Sequence, residues 1–262
     1  MHMFEIIFLG LTQGLTEFIP ISSSGHLVIA QHFFSGTSDH LYLEFINIGT
    51  FLALVVYFRA KIVDIIRDIF VNHKYQLALN IMITAVPAGL IGFGLAKFID
   101  STAFFGSLVV VTVTIGVVGL VMVLLERFPK ASAVSDGQSL SHKRALVIGL
   151  VQILALIPGV SRSGSTIIAG RLAGFNPAAA AEYSFLASLP IMLGVCLKVL
   201  VSDRSYLMAN LVPLLIGNAV AFAAGLLAVG FLMKYLSNHS LAIFGWYRIG
   251  LAAVLTVVLL LQ

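Results

Sequence analysis

The chain has very few charged residues for its length. Asp, Glu, Lys and Arg make up 10% of the 262 residues, against about 25% in an ordinary soluble domain. Hydrophobic residues make up 60%, and the mean hydropathy is +1.06. A soluble globular protein is therefore excluded. Six long apolar runs instead predict membrane spans, since about 20 apolar residues cross the hydrocarbon core. The predicted spans are 43–58, 77–96, 104–125, 181–201, 209–233 and 241–261.

Cysteine and short alternating segments are also scarce. Cys196 is the single cysteine, so an internal disulfide and a cysteine-based metal cluster are both excluded. Strand-length segments of alternating hydrophobicity are absent, so the spans are predicted to be helices and not strands of a barrel. The predicted fold is an all-α polytopic membrane protein.

The net charge of +4 comes from basic residues that gather in loops. In a soluble chain this surplus would suggest a nucleic-acid partner, but here it indicates cytoplasmic loops, and no nucleic acid is expected. Segment 59–76 and connector 126–144 are basic, whereas segment 97–103 carries only Lys97. We therefore expect the first two to be cytoplasmic and the third to lie outside. The first dozen residues lack a basic start and a cleavage site, so they are expected to belong to the mature protein.

Two polar loops closed by glycine interrupt the apolar sequence, and they resemble each other. One offset of 139 positions superposes four residues of the first loop on the second: Gln13 on Gln152, Ser22 on Ser161, Ser24 on Ser163, and Gly25 on Gly164. Ionisable and polar groups at membrane depth are expensive and usually functional. The duplicated loops therefore predict a site.

The same duplication divides the chain into two repeats. The first repeat is predicted at 1–127, with a re-entrant helix pair at 3–34, and the second at 143–262, with a re-entrant pair at 143–175. A Ser-rich connector at 128–142, expected to be cytoplasmic, joins them. Each half has three spans in addition to its re-entrant pair. Because three is odd, the halves should enter the membrane in opposite orientations, as an inverted repeat whose loop tips meet near mid-membrane.

The first loop brings polar and ionisable residues to the end of a helix. Gln13 and Glu17 are four apart and share one helix face. The helix should end by Ile19, because Pro20 disfavours helical geometry at the residue before it. The chain then turns through three serines, at 22 to 24. Gly25 is expected to take a backbone conformation that other residues avoid.

Helix capping would explain any one of these serines but not the whole set beside Glu17 and His26. In the second loop, Arg162 lies between Ser161 and Ser163. Its guanidinium suits phosphate oxygens, and the amides beyond Gly164 would add a helix N-terminus that favours anions. Thr166 is a further donor. A snorkelling arginine is the alternative, but Arg162 lies in a Gly-Ser turn and not at the end of a long span.

Together the motifs Gln13-Gly-Leu-Thr-Glu-Phe-Ile-Pro-Ile-Ser-Ser-Ser-Gly-His26 and Pro158-Gly-Val-Ser-Arg-Ser-Gly-Ser-Thr166 resemble the undecaprenyl pyrophosphate phosphatase family, the bacitracin-resistance phosphatases. The resemblance runs over nearly the whole chain, including 44–49, 182–186 and Tyr247-Arg248. It implies a multi-pass enzyme of the bacterial plasma (inner) membrane that removes the terminal phosphate from a polyprenyl pyrophosphate lipid. The lipid carrier is then recycled for cell-wall synthesis.

The resemblance also implies roles for the motif residues. Those expected to be catalytic are Glu17, Ser23, His26 and Arg162. Those expected to contact the substrate are Ser22, Ser24, Gly25, Ser161, Ser163, Gly164 and Thr166. The implied cofactor is a divalent cation, Mg²⁺ or Ca²⁺, with Glu17 and Gln13 as its expected ligands. Many members have Glu where this chain has Gln13, whose uncharged carbonyl is expected to weaken metal binding.

Three mechanisms are open at this point. Ser23 is the expected nucleophile, with His26 as general base and Glu17 orienting the imidazole or holding the metal. His26 as the direct nucleophile is the main rival, and water activated by His26 or Glu17 is the third. In each case the reaction centre is predicted to face the outside, or periplasm.

An inverted-repeat transporter or flippase of a phosphorylated lipid is the alternative function, because a fold does not fix a function. A flippase needs the arginine but neither a nucleophile nor a base, so the residue set favours the enzyme. Arg248 lies about a third of the way into run 241–261, where burial is costly, and it is expected to pair with Glu44 or Glu182. The oligomeric state is not specified by the sequence.

Overall fold

The computed structural model describes residues 2–33, 39–127 and 133–261. The end of the predicted segment 3–34 and the first part of the predicted connector 128–142 lie outside these residues. In the described part the chain is helical and forms no β-strand, and Val134 and Phe175 make an isolated bridge. The helices are α1 Met3–Phe18, α2 Ser23–Phe33, α3 His40–Phe45, α4 Asn47–Tyr57, α5 Arg59–Phe70, α6 Gln76–Ser101, α7 Leu108–Arg127, α8 His142–Gln152, α9 Arg162–Leu172, α10 Pro177–Ser202, α11 Arg204–Ala209, α12 Leu211–Leu236 and α13 Ala242–Leu261.

Six stretches of the described chain are long and apolar enough to cross a membrane. They are His40–Tyr57, Gln76–Ile99, Leu108–Arg127, Pro177–Ser202, Leu211–Leu236 and Ala242–Leu261. The first is made of α3 and α4, which join at Ile46. The prediction of an all-α polytopic membrane protein is thereby confirmed. The division into two repeats and their opposite orientation stay predictions.

Small residues let α1 and α8 approach their neighbours closely. A Cβ atom at Gly10 would lie 2.8 Å from the carbonyl oxygen of Gly217 on α12, and one at Gly14 would lie 2.6 Å from that of Ala221. Such small-xxx-small spacing is the usual basis of tight helix packing in membranes. Gly149, which the offset of 139 positions aligns with Gly10, allows the same close approach by α8. Its Cβ would lie 2.7 Å from the carbonyl oxygen of Thr84 on α6.

Two ion pairs join the halves of the chain in a reciprocal way. Glu44 of α3 pairs with Lys198 of α10 at 3.2 Å, and Glu182 of α10 pairs with Lys61 of α5 at 3.0 Å. Each carboxylate comes from one predicted repeat and each ammonium from the other. Because all four side chains are partly exposed, these pairs contribute more to the register between the halves than to stability.

The end of α1 is anchored in the core. Phe18, its last residue, is fully buried and packs edge to face on Phe185 of α10, with ring centroids 5.6 Å apart. Aromatic pairs of this geometry stabilise by about 1 kcal/mol beyond the burial of their area. Glu17, the preceding residue, is thereby held at a fixed position between the two loops.

Candidate active site

The two polar loops have the same local conformation. α1 ends at Phe18, and Ile19 is extended with φ −64° and ψ 132°, which confirms the predicted effect of Pro20. Ser22 and Ser161 then both have a φ of 78°. The Ser22 hydroxyl accepts a hydrogen bond from the amide of Gly25 at 3.2 Å. The Ser161 hydroxyl accepts one from the amide of Gly164 at 3.1 Å, so each serine caps the helix that follows.

The expected special backbone conformation therefore lies at Ser22 and not at Gly25. Gly25 is an ordinary helical residue of α2, where a Cβ atom would come within 3.0 Å of the Ile115 side chain. A positive φ costs a residue with a side chain on the order of 1–3 kcal/mol. The capping hydrogen bond of the same serine offsets part of that cost.

Glu17 is the centre of the site and joins the two loops. Its Oε1 atom accepts a hydrogen bond from Nη2 of Arg162 at 2.6 Å. Its Oε2 atom accepts one from the Ser23 hydroxyl at 2.5 Å and one from Nε2 of Gln13 at 3.2 Å. The Glu17 and Arg162 side chains are 12% and 18% exposed, so the ion pair is largely shielded from water.

The Arg162 guanidinium keeps one donor group unused. Its Nη1 atom is buried and donates no hydrogen bond to any described residue, whereas Nη2 is held by Glu17. A buried donor without an acceptor costs about 1–3 kcal/mol, and more when it is charged. The oxygens of an incoming phosphate group would remove this penalty, and the planar fork of arginine suits them.

His26 is held away from Ser23. Its Nδ1 atom lies 2.7 Å from the carbonyl oxygen of Ser22, which only accepts, so Nδ1 carries the hydrogen. Nε2 of the neutral ring then accepts from the Tyr247 hydroxyl at 2.7 Å. The two rings are parallel within 9°. The expected hydrogen bonds of His26 with Ser23 and with Glu17 are not formed, because the imidazole is drawn back onto the turn before α2 and onto α13.

A cavity of about 670 Å³ opens beside Ser23. Gln13, Ser23 and Ser24 of the first motif line it. The rest of its wall comes from α2, from α3 and the start of α4, from the end of α6 and the segment after it, and from the residues before α9: Leu27, Val28, His40, Leu43, Glu44, Asn47, Ile99, Ser101, Thr102, Ala103, Phe105, Gly106, Ala155, Leu156 and Pro158. The volume is in the range of small-ligand sites.

Most of the predicted substrate-binding residues face the protein interior. Ser22, Ser161, Ser163, Gly164 and Thr166 are buried, whereas Ser24 is exposed and lines the cavity. The Ser163 hydroxyl donates to the carbonyl oxygen of Glu17 at 3.4 Å.

Thr166 donates to the carbonyl oxygen of Arg162 at 2.8 Å and also bonds to Ser184. The hydroxyls of the second loop thus hold Glu17 and Arg162 in position.

Arg248 is fully buried, and its expected partners were wrong. Glu44 and Glu182 pair with lysines, whereas the acceptors of the Arg248 guanidinium within the described residues are all backbone carbonyls. These are Pro20 at 3.2 Å, Gly159 at 2.5 Å, Val160 at 3.3 Å and Ile115 at 3.2 Å. Both loops stop being helical at a proline, so their backbone carbonyls receive no hydrogen bond from a helical amide. The Arg248 guanidinium provides the donors for these carbonyls.

Two residues of the site were missed by the sequence reasoning. Tyr247 forms a hydrogen bond with His26 at 2.7 Å. Asn47 accepts a hydrogen bond from Gln13 at 2.9 Å. An amide near the start of an apolar run was a usable signal for Asn47, since polar groups at membrane depth seek partners. Tyr247 carries no comparable signal.

A protein built in this way is an integral membrane enzyme. A serine hydroxyl held on a carboxylate, next to an arginine with a free donor, is suited to phosphoryl transfer, in which an oxygen attacks and negative charge must be neutralised. The chain belongs to the family described as bacitracin resistance protein BacA, which matches its residues 6–254.

Relatives with the same activity name cover the whole length. The undecaprenyl-diphosphatase of Acinetobacter baumannii strain ATCC 17978 is 36% identical over 265 residues, which span 98% of this chain and 97% of the relative. Undecaprenyl-diphosphatase 1 of Clostridioides difficile strain 630 is 37% identical, over 97% of this chain and 95% of the relative. Undecaprenyl-diphosphatase 3 of Acinetobacter baylyi is 34% identical, over 98% of each chain.

Proposed function

We propose that the protein is an undecaprenyl-diphosphatase, which hydrolyses undecaprenyl diphosphate to undecaprenyl phosphate and inorganic phosphate. Membership of the BacA family and relatives of that name over the full length support this activity. The observation that carries it in the structure is the chain of contacts from Ser23 to Glu17 to Arg162. The reaction returns the lipid carrier to cell-wall synthesis and is consistent with the bacitracin resistance for which the family is described.

Ser23 is the nucleophile and Glu17 its base in the mechanism that the contacts favour. The Ser23 oxygen forms a bond to the terminal phosphorus, and its proton passes to Oε2 of Glu17, which already accepts it in a hydrogen bond. The bond from that phosphorus to the bridging oxygen breaks, and undecaprenyl phosphate leaves with the electron pair. Water then attacks the phosphoserine phosphorus, the bond from that phosphorus to the Ser23 oxygen breaks, the Ser23 oxygen takes the proton back from Glu17, and inorganic phosphate is released. Direct attack by His26 is disfavoured because both ring nitrogens are engaged.

Arg162 neutralises the phosphate charge in this scheme. Its Nη1 group has no acceptor in the described part of the chain, and its Nη2 group stays on Glu17. The largest contribution to such a reaction is a set of donors fixed before charge develops. Arg162 is fixed in this way because Thr166 and Ser165 both donate to its carbonyl oxygen at the start of α9.

The reaction centre faces the outside of an inner membrane. The cavity is lined by residues of 99–106, which belong to the segment with little positive charge. The basic segment 59–76 lies instead beside residues 135–140, since Gln76 donates to the carbonyl oxygen of Leu140 and Gln138 to Asp68. Basic loops stay in the cytoplasm. The cavity therefore opens on the periplasmic side, with room for the headgroup while the lipid tail stays in the bilayer.

A divalent cation, Mg²⁺ or Ca²⁺, is the cofactor that the family resemblance implies. In the described residues, no group of three or more His, Cys, Asp and Glu side chains is placed to hold a metal. Gln13 also presents its amide nitrogen, and not its oxygen, to Glu17. The two expected ligands thus do not fit a cation between them, and no step above is assigned to one.

Phosphate release by the purified protein tests the proposed function. In detergent micelles with undecaprenyl diphosphate, stoichiometric formation of inorganic phosphate and undecaprenyl phosphate is expected. The transporter alternative makes a different prediction: movement of the lipid across vesicles without any phosphate release. Lipid movement with no hydrolysis, by protein shown to be folded, would replace the phosphatase by that alternative.

Replacing Tyr247 by Phe should lower kcat by about tenfold and leave KM within about twofold. The Tyr247 hydroxyl holds the His26 ring, and Nδ1 of that ring donates to the carbonyl oxygen of Ser22, so loss of the hydroxyl loosens the turn that carries Ser23. Phe keeps the packing while it loses the hydrogen bond. Steady-state phosphate release measures both constants. In a His26→Ala background the same change should have no further effect, because coupled residues are not additive.

Trp246→Phe is the matched control for Tyr247, since Trp246 is a neighbouring aromatic residue that is exposed. It should leave both constants unchanged. Equal losses from Tyr247→Phe with and without His26 would contradict the positioning role.

A further inference from the structure

We propose that the Gln13 amide takes the place of a divalent cation beside Glu17, so that this site is complete without a metal there. Glu17 is held in this way whatever the reaction, and the activity measurements used as a test below rest on the proposed phosphatase function. Gln13 lies one helical turn before Glu17, is 1% exposed, and has an amide that points at two oxygen acceptors.

The orientation of Asn47 fixes the orientation of Gln13. Nδ2 of Asn47 donates to the carbonyl oxygens of Leu43 at 2.9 Å and Glu44 at 3.2 Å. A carbonyl oxygen only accepts, so the Asn47 amide cannot be turned around without losing both bonds. Its Oδ1 atom must therefore face Gln13.

Gln13 must then present its NH₂ group. Nε2 lies 2.9 Å from Oδ1 of Asn47 and 3.2 Å from Oε2 of Glu17, and its two hydrogens serve one acceptor each. The positive edge of the amide thus lies between two oxygens. Together with Arg162 and Ser23, this donor satisfies the largely buried Glu17 carboxylate, since an uncompensated charge is costly to bury.

A carboxylate at position 13 would reverse this arrangement. It would bring oxygens of three side chains together with no donor between them, and two carboxylates in close contact oppose the ionisation of both. A divalent cation relieves that repulsion, since Mg²⁺ and Ca²⁺ are bound by carboxylate and amide oxygens. The residue at position 13 therefore decides whether Glu17 is balanced by a bound cation or by hydrogen bonds from the protein.

Mn²⁺ binding measured by electron paramagnetic resonance, without substrate, tests the inference on the full-length protein in detergent. Gln13→Glu should bind one Mn²⁺ at least about tenfold more tightly than wild type, because a second negative charge is added at short range. In phosphate release, a chelator should change wild-type activity by less than about twofold. It should lower that of Gln13→Glu by about tenfold or more, with recovery on adding Mg²⁺.

Gln152→Glu is the matched control, since Gln152 is the corresponding buried residue of the second loop and donates to the carbonyl oxygen of Thr84. It should gain no Mn²⁺ site. Gln13→Met, which removes the amide without adding charge, should lose activity and gain no response to Mg²⁺.

Wild-type Mn²⁺ binding as tight as that of Gln13→Glu, and abolished by Glu17→Gln, would overturn the inference. So would wild-type turnover that stops in chelator and returns with Mg²⁺. An absence of phosphate release from every variant under every metal condition would count against the proposed function instead, while the Mn²⁺ measurement would still decide the inference.

Discussion

Replacing Ser23 by Ala should reduce phosphate release by at least about 10³-fold, the scale seen when a nucleophile is removed from a coupled catalytic set. The Ser23 hydroxyl borders the cavity and donates to Glu17 at 2.5 Å, so attack and proton transfer both depend on this one atom. Initial rates of phosphate release from undecaprenyl diphosphate measure the loss. The folded state should be preserved, because the change removes a single oxygen from a half-buried position.

A phosphoserine trapped during turnover would be direct evidence that Ser23 is the nucleophile. Wild-type protein quenched during turnover should carry phosphate on Ser23, which peptide mass spectrometry locates, and Ser23→Ala should carry none. Ser237→Ala is the control, since Ser237 is an exposed serine that donates only to the carbonyl oxygen of Lys234. Full turnover by Ser23→Ala would remove serine from the mechanism. A phosphate found on His26 would establish the rival nucleophile.

Replacing Arg162 by Ala should lower kcat/KM by about 10²- to 10³-fold, the usual cost of removing a donor that stabilises developing charge. Two losses combine in this variant. The free Nη1 group no longer meets the phosphate, and Glu17 loses the ion pair that holds it against Ser23. Arg162→Lys should recover only part of the activity, because an ammonium cannot serve both acceptors with the planar fork of a guanidinium.

The control for Arg162 is Arg144→Ala, which removes an exposed arginine at the start of α8, on the side of the basic loops. It should retain wild-type rates. Thermal unfolding of each variant in the same detergent separates catalytic loss from unfolding. Near-normal kcat/KM in folded Arg162→Ala would remove the second loop from phosphate binding.

The parts of this molecule that depend on composition and local geometry could be predicted. Apolar runs fixed the number and approximate position of the spans, because the membrane demands length and hydrophobicity and little else. Pro20 predicted the end of α1 for a steric reason that acts on its neighbour alone. The duplicated motifs pointed to the loops that meet at Glu17 and Arg162.

The partners of individual side chains could not be predicted. His26 and Tyr247 are 221 positions apart in the chain, and Arg248 bonds to a carbonyl oxygen 228 positions away. Burial of Arg248 was expected from its place in an apolar run. Every residue has a backbone carbonyl, however, so the sequence could not indicate which carbonyls accept its hydrogen bonds. The contact of Ser23 with Glu17 was not predicted for a related reason, since the left-handed turn at Ser22 lies between the two residues in the chain.

The contacts of Arg248 imply an order of steps in the folding of this protein. Its guanidinium bonds to Pro20 in the first loop and to Gly159 and Val160 in the second, and it is carried by α13, which follows both loops in the chain. Both loops are synthesised long before α13 enters the bilayer. During translation, a ribosome-bound chain can thus contain both loops and still lack the residue that ties them together, so the contact between the loops through Arg248 forms only after α13 has been inserted.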